Sequence, residues 1–271
     1  MPHGQTHTAS VDLLGVRFAA WTVDQVLDEV FGALKERSGR PRGGWIVTPN
    51  VDVLRQIARS ADVRALVTHA DVFLADGMPL IWASRVQGTP LPERVTGAAL
   101  LPLLSERAAA EQRRVFLLGG ADGVAAAGVT ALRERHPGIA ADGWSPPFGM
   151  EATPEGMAEI RARVSAAAPD LVFCGFGFPK QERVIYALRD LLPDVWFVGC
   201  GAALNFVAGE VSRAPAWMQR IGLEWVHRLW KEPRRLFRRY VIDDIPFALE
   251  LLYRAFRRRW SDRRAARTGP R

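Results

Sequence analysis

The distribution of apolar and polar residues divides the chain into two parts. From Val11 to about Gly209, short apolar runs alternate with segments of helical periodicity, which is typical of successive βα units around a mostly parallel sheet. Five apolar runs that end in a turn or a glycine are predicted strands: residues 45–48, 72–75, 115–118, 171–174 and 196–199. The pattern therefore predicts an α/β fold with Rossmann-like βα units, which binds ligands at the carboxyl ends of its strands.

Beyond about residue 214 the pattern changes to helices alone. Apolar residues recur at spacings of three and four, which predicts an amphipathic helix with arginines beside its apolar stripe. The stripe consists of Ile245, Leu249, Leu252, Phe256 and Trp260. We therefore predict an α/β body over residues 1–212 and an arginine-rich, basic helical appendage over residues 213–271.

The net charge of +7 is concentrated in the predicted appendage. Residues 213–271 contain 16 Lys and Arg against 6 Asp and Glu, whereas residues 1–212 contain 20 against 23. Such a basic segment favours an anionic partner, either a membrane surface or a nucleic acid backbone. Tryptophans among the arginines are suited to base stacking. The apolar stripe has no role on nucleic acid, however, so an anionic membrane is the preferred partner and no nucleic acid is expected. The competing interpretation is that the stripe packs on the α/β body or on another subunit.

Signals for secretion or membrane spanning are weak. The first ten residues are polar, so a signal peptide is not expected. The longest apolar stretch, residues 195–209, is shorter than the ~18 residues of a spanning helix. Cys174 and Cys200 end apolar runs and are predicted to be reduced core thiols. We expect a cytoplasmic protein that associates peripherally with the inner face of the cell membrane.

Polar residues with candidate chemistry follow the first two predicted strands. Asp76 precedes Gly77 and has two competing interpretations, a helix N-cap and a general base partly shielded by apolar neighbours. The residues alone favour the cap, which is common for an aspartate at such a helix start. Thr48 and Asn50 flank Pro49, where they can hold a sugar or an acceptor, and Asn50 can also cap the next helix.

A glycine-rich run, Gly-Phe-Gly-Phe-Pro-Lys-Gln-Glu at residues 175–182, leaves a strand and enters a helix. Its backbone N–H groups, that of Gly177 included, can face an anion. The run is not a Walker A loop and lacks the third Rossmann glycine, which disfavours a nucleotide-cofactor oxidoreductase. Lys180, Gln181 and Glu182 either bind a nucleotide sugar or form an ordinary solvated first turn.

The sequence contains no Asp-x-Asp motif. The carboxylate pair that holds a divalent metal in many nucleotide-sugar enzymes is therefore absent, and we predict no metal and no cofactor. Guanidinium groups can stabilise a departing diphosphate instead. The candidates are Arg228, Arg235 and Arg238. Arg94 can also reach a diphosphate, although an arginine in such a connection is more often on the surface.

Four short motifs occur in one order along the chain and are followed by a long glycine-, tryptophan- and arginine-bearing signature at residues 201–239. The motifs are Thr-Pro-Asn-Val-Asp at 48–52, Ala-Asp-Gly-Met-Pro at 75–79, Arg-Val-Thr-Gly at 94–97 and the glycine-rich run at 175–182. In these motifs, from about residue 11 to about residue 240, the chain resembles the WecG/TagA/CpsF family of glycosyltransferases.

The resemblance implies an inverting transfer of an N-acetylated hexosamine, or its uronic acid, from a UDP-sugar to a polyprenyl-diphosphate-linked saccharide in cell-surface polysaccharide biosynthesis. It implies that Asp76 is the catalytic base and that Gln181 binds substrate. We also expect Thr48, at the end of the first predicted strand, to be a catalytic residue. Ala99 and Asn205 stand where the family commonly has aspartates, and Asn205 is retained as a substrate-binding candidate. The sequence does not determine the number of subunits, and a homo-oligomer is one of the possibilities.

Overall fold

The computed structural model describes residues 9–36, 42–211, 214–215, 217–218 and 222–268. The strands in this part of the chain are β1 Ser10–Leu13, β2 Val16–Ala19, β3 Gly44–Val47, β4 Val72–Phe73, β5 Arg114–Gly119, β6 Ala140–Trp144, β7 Leu171–Gly175 and β8 Trp196–Gly199. Strands β3 to β8 form a parallel sheet in the order β4-β3-β8-β7-β5-β6, and β1 and β2 form an antiparallel hairpin.

Helices cover both faces of this sheet and make up the C-terminal part. They are α1 Val23–Lys35, α2 Val51–Arg59, α3 Ala61–Val67, α4 Met78–Gln87, α5 Gly97–Ala110, α6 Val124–Arg135, α7 Pro154–Ala167, α8 Lys180–Arg189, α9 Ala203–Val207, α10 Glu224–Lys231, α11 Pro233–Phe237 and α12 Ile245–Thr268. A π-helical segment, Arg238–Asp244, joins α11 to α12. Several helix starts follow from side-chain caps, such as Thr22 before α1 and Thr96 before α5.

The predicted α/β fold and its five predicted strands are confirmed, with boundaries that differ by at most two residues. The sequence analysis missed the two hairpin strands, β1 and β2. In the parallel sheet it missed β6, at one edge. Its residues include Asp142 and Gly143, and its side chains are partly exposed. These polar and glycine residues interrupt the continuous apolar run that marks a parallel strand buried on both faces.

The long C-terminal helix α12 packs on the body through a face other than the predicted apolar stripe. Its buried residues are Phe247, Leu251 and Ala255, which belong to the same core as β1, β2, α2 and α4. The predicted stripe lies beside this face. Leu252 is half-buried, whereas four residues of the stripe are exposed: Ile245, Leu249, Phe256 and Trp260. The helix is apolar on two adjacent faces, so periodicity alone could not identify the packed one.

Candidate functional site

The loops that leave four neighbouring strands, β4, β3, β8 and β7, meet at the carboxyl edge of the sheet. They enclose a cavity of about 300 Å³, called here the polar cavity. Its walls include Thr48 and Asn50 after β3, Asp76 after β4, Gly177 after β7 and Gly201 after β8. A crevice at this edge is where open α/β sheets bind their ligands.

Asp76 does not cap a helix. The N-cap of α4 is Gly77, and no side chain caps this helix. Asp76 instead accepts a hydrogen bond from the backbone N–H of Gly97, in the first turn of α5. Burial raises the pKa of Asp76 to about 6, although the charge of Arg94 and the hydrogen bond from Gly97 act in the opposite direction. A partly buried carboxylate with this pKa is suited to general base catalysis near neutral pH.

Three charged side chains surround Asp76. Arg94 Nη1 lies 3.8 Å from Glu224 Oε2, and both side chains are mostly buried. Arg94 is therefore not the solvated surface arginine that its position in a short connection suggested. Glu224 raises the pKa of Asp76, whereas Arg228 lowers it. Asp76 thus lies beside two guanidinium groups, and such groups can hydrogen bond to phosphate oxygens.

Thr48 and Asn50 line the polar cavity and also hold the loop after β3 in place. The hydroxyl of Thr48 donates to the carbonyl oxygen of Gly199 at 3.4 Å. Asn50 Oδ1 accepts from the N–H of Val53 at 3.0 Å and caps α2. The predicted capping role of Asn50 is therefore confirmed. Its amide nitrogen is not needed for that cap and is the group suited to a ligand.

A second cavity of about 360 Å³, called here the apolar cavity, adjoins the first. It lies between α4, α10, the π-helical segment and α12, and its apolar walls include Met78, Trp82, Leu249 and Leu252. Asp76 lines both cavities. The other residues that line both are Asn50, Glu224, Arg228, Arg239 and Tyr240. The carboxylate therefore stands where a polar and an apolar compartment meet.

Gln181 lines the polar cavity and is only 6% exposed, and its Oε1 accepts from the N–H of Gly201 at 3.0 Å. The neighbouring Glu182 is fully buried and accepts hydrogen bonds from Trp45 and Gln181. The structure therefore does not bring Glu182 to either cavity, contrary to its predicted contact with substrate. Because its carboxylate is buried, Glu182 neither binds substrate directly nor belongs to a solvated first turn.

Three more predicted substrate-binding residues lie away from the two cavities. Lys180 Nζ lies 3.2 Å from Glu151 Oε1 and 4.7 Å from the ring centroid of Phe148. Asn205 Nδ2 donates to Glu210 Oε2 at 3.0 Å beside a separate cavity. Arg238 is exposed and is not among the described residues that line either cavity. The side chain of Arg235 lies outside the described residues.

The sequence analysis missed Arg239, which lines both cavities. Its Nη2 lies 2.9 Å from Asp52 Oδ2 in α2, and Asp244 lies beside this pair. Arg238 and Arg239 are sequence neighbours, so residue type does not decide which one faces the cavities. The π-helical segment sets their orientation, and no sequence signal marks it. Such segments occur often at functional sites.

Other sequence predictions concern metals, membranes and cysteines. Among the described residues, no group of three or more His, Cys, Asp or Glu side chains is arranged to hold a metal ion. Across the same ranges, no helix is long and apolar enough to cross a membrane. Cys174 and Cys200 are buried and free, as predicted.

Two cavities that meet at one carboxylate are suited to an enzyme that brings two substrates together for group transfer. The chain belongs to the WecG/TagA/CpsF family of glycosyl transferases, whose family model matches residues 11–261. The resemblance drawn from the four motifs and the C-terminal signature is thereby confirmed. Glycosyl transfer, rather than nucleic acid binding or nucleotide-cofactor redox chemistry, is the activity of this class.

Several proteins similar to this chain share one name, N-acetylglucosaminyldiphosphoundecaprenol N-acetyl-beta-D-mannosaminyltransferase. The protein of this name from Bacillus spizizenii is 32% identical over 194 residues, which cover 72% of this chain and 74% of the relative. Two from Staphylococcus aureus are 28% identical over 254 residues and 29% identical over 235 residues. These two alignments cover 94% and 86% of this chain and 96% and 90% of the relatives.

Proposed function

We propose that the chain is an inverting glycosyltransferase that moves an N-acetylated hexosamine, or its uronic acid, from a UDP-sugar to a polyprenyl-diphosphate-linked saccharide in cell-surface polysaccharide biosynthesis. The position of Asp76 between a polar and an apolar cavity carries this proposal. The name of the relatives describes transfer of N-acetyl-β-D-mannosamine to N-acetylglucosaminyldiphosphoundecaprenol. N-acetylmannosamine is therefore the first donor sugar to test.

In the proposed reaction, Asp76 removes the proton from the acceptor hydroxyl as the hydroxyl oxygen attacks the anomeric carbon. The bond from that carbon to UDP breaks, and UDP leaves with the bonding electrons from the opposite face, which inverts the anomeric configuration. The elevated pKa of Asp76 supports its role as the proton acceptor. The Thr48 hydroxyl, held against Gly199, lies in the same cavity and is suited to orienting the reacting groups.

The departing diphosphate is stabilised by guanidinium groups. Arg228 and Arg239 line both cavities and are the arginines best positioned for this role. Arg94 lies beside Asp76 and adds positive charge. Preorganised donors of this kind can replace a metal ion where negative charge develops. Arg238 is exposed and would contact the diphosphate only on further closure of the appendage over the body.

The apolar cavity is suited to the lipid-linked acceptor. Trp82, Leu249 and Leu252 line it, and Leu249 also belongs to the exposed stripe of α12. Arginines flank that stripe, so the helix can place apolar side chains among lipid headgroups while its cations contact anionic lipids. This arrangement supports peripheral association with the inner face of the cell membrane. The competing interpretation is that a second copy of the chain covers the stripe.

The reaction can be tested by mass spectrometry of mixtures that contain the protein, one of several UDP-sugars and a short-chain polyprenyl-diphosphate saccharide. We expect the acceptor to gain the mass of one N-acetylated hexosamine or of its uronic acid, and NMR of the product to show inversion at the anomeric carbon. Release of free sugar without transfer to the acceptor would contradict the proposal, and so would retention of configuration.

Membrane association can be tested separately by flotation with vesicles. Each basic residue near an anionic surface contributes about 1 kcal/mol, so attachment should need anionic lipid and weaken at high salt. Equal flotation with neutral and anionic vesicles would contradict the electrostatic part of the proposal. A concentration-dependent dimer that does not bind vesicles would favour the second copy as the partner of the stripe.

A further inference from the structure

A buried chain of hydrogen bonds runs beneath the polar cavity. Trp45 Nε1 donates to Glu182 Oε2 at 2.9 Å, and Gln181 Nε2 donates to Glu182 Oε1 at 3.0 Å. The N–H of Gly201 then donates to Gln181 Oε1 at 3.0 Å. This chain joins β3 to the first turn of α8 and to the loop after β8, and the last two of these line the cavity.

The orientation of the Gln181 amide follows from the chemistry of its neighbours. The backbone N–H of Gly201 can only donate, so Gln181 must turn its oxygen towards Gly201 and its NH₂ group towards Glu182. Burial raises the pKa of Glu182 to about 7, and the hydrogen bonds from Gln181 and Trp45 counteract that rise. The amide of Gln181 carries two N–H groups, and Glu182 uses one of them.

The hydrogen-bonded arrangement requires the backbone at Gly199 to lie very close to Gln181 and Glu182. A Cβ atom on Gly199 would lie 2.5 Å from Gln181 Nε2 and 2.7 Å from Glu182 Oε1, which is closer than van der Waals contact allows. Glycine at this position therefore lets the end of β8 pass directly over the two side chains. The loop that begins at Gly199 also supplies Gly201 to the chain of hydrogen bonds and to the wall of the cavity.

We propose that Glu182 is a positioning residue, which fixes the Gln181 amide so that its second N–H faces the polar cavity and donates to an acceptor oxygen of the nucleotide-sugar donor. The identity of that donor rests on the proposed function. Glu182 itself does not contact substrate. Its part is to set the direction of every hydrogen bond from Trp45 to Gly201, and so to present a neutral donor group to an anionic ligand.

The substitution Glu182→Gln tests this inference because it keeps the size of the side chain and reverses one hydrogen-bonding group. If the new amide turns its oxygen to Trp45, its NH₂ group faces the NH₂ group of Gln181. If Gln181 then rotates, its own NH₂ group faces the N–H of Gly201. Every arrangement leaves one pair of donors facing each other. The double variant Gln181→Glu/Glu182→Gln removes this conflict, because a carboxylate at position 181 accepts from both neighbours.

We expect Glu182→Gln to lower Tm and to raise both the Kd for UDP and the KM for the UDP-sugar by about tenfold, with the KM for the lipid acceptor unchanged. The double variant should recover Tm but not UDP binding, because a carboxylate then replaces the amide that donates to the anionic ligand. Glu155→Gln changes an exposed side chain in α7 and serves as the matched control. It should leave Tm and the Kd for UDP unchanged.

Three outcomes would overturn the inference. Glu182→Gln with lower Tm but normal UDP binding would make Glu182 a purely structural residue. A double variant that regains UDP binding would exclude the Gln181 amide as a ligand. A double variant no more stable than the single one would refute the directional chain of hydrogen bonds. Failure of the unsubstituted protein to bind UDP is a different result, since it would overturn the proposed donor, and the Tm comparison would still test the chain.

Discussion

The α/β body and the C-terminal appendage contribute to the site in different ways. In the body, the polar groups are held by the backbone and by buried partners, as Gln181 is by Gly201 and Glu182. The appendage instead supplies arginines and exposed apolar side chains from helices, with Trp230 86% exposed and Leu249 63% exposed. In the proposed reaction, the body therefore fixes the geometry of the site, whereas the appendage supplies charge and the proposed lipid contact.

The largest expected effect lies in the body. Asp76→Asn keeps the size of the side chain and an oxygen that can accept from Gly97, but it removes the proton acceptor. We expect turnover to fall by about 10²–10⁴ with little change in Tm, as is typical for loss of a general base. Steady-state kinetics with a UDP-sugar and a lipid-linked acceptor would measure the effect.

A matched control for Asp76→Asn is Asp142→Asn, which changes an exposed aspartate on the edge strand β6. It should leave turnover unchanged. Near-normal turnover in the folded Asp76→Asn protein would remove Asp76 from the mechanism and transfer the chemical role to another group. It would also show that the body is not where the reaction is controlled.

Two leucines on α12 allow the packed and exposed faces of the appendage to be compared. Leu251 is 1% exposed, so Leu251→Ala should reduce the free energy of unfolding by about 2–5 kcal/mol. Leu249→Ala should change it by about 0.5 kcal/mol or less, because that side chain is mostly in solvent. Denaturant unfolding would measure both effects.

For lipid binding, the order of the two leucine substitutions should be the reverse of their order for stability. Leu249→Ala should weaken binding to anionic vesicles and raise the KM for a long-chain acceptor, since Leu249 lines the apolar cavity. The KM for short water-soluble acceptors should change less. If Leu249→Ala leaves both quantities unchanged, the exposed stripe has no part in lipid recognition, and contact with a second copy becomes the better explanation.

Arg228 and Arg238 test which appendage arginines contribute to catalysis. Arg228 lines both cavities, so Arg228→Ala should lower kcat by about 10- to 100-fold through loss of charge-assisted hydrogen bonds. Arg238→Ala should lower it by less than about threefold if that side chain remains in solvent. An equal loss in the two variants would instead support closure of the appendage over the donor.

The role proposed for Arg228 also predicts that the reaction does not require a metal ion. Turnover should persist in excess EDTA if guanidinium groups take the role that a divalent ion has in many nucleotide-sugar enzymes. Loss of activity on chelation and recovery with Mg²⁺ or Mn²⁺ would contradict this prediction. A requirement for metal would also weaken the role assigned to Arg228.

The body and the appendage also differ in how much of their fold and of the candidate site could be predicted from the sequence. Apolar runs and turn glycines predicted the central strands and placed Thr48 and Asp76 at their ends, because strand burial and strand termination are local properties. Glu182 was misplaced because its neighbour in the chain, Gln181, faces the cavity while Glu182 faces Trp45. That distinction depends on packing between α8 and β3. Arg239 was missed because a π-helical segment changes which side chains share a face.

The smallest expected effect is a shift in the pH dependence of the reaction. Asp76 must be ionised to accept a proton, so kcat/KM should fall as the pH drops below about 6, the pKa of this carboxyl. Glu224 raises that pKa through its negative charge. Glu224→Gln should therefore move the acid limb of the profile to lower pH, by less than about one unit. Asp76→Asn should abolish the limb in the residual activity. A limb that stays in place in Glu224→Gln and disappears in Asp76→Asn would retain Asp76 as the base but exclude Glu224 from tuning it.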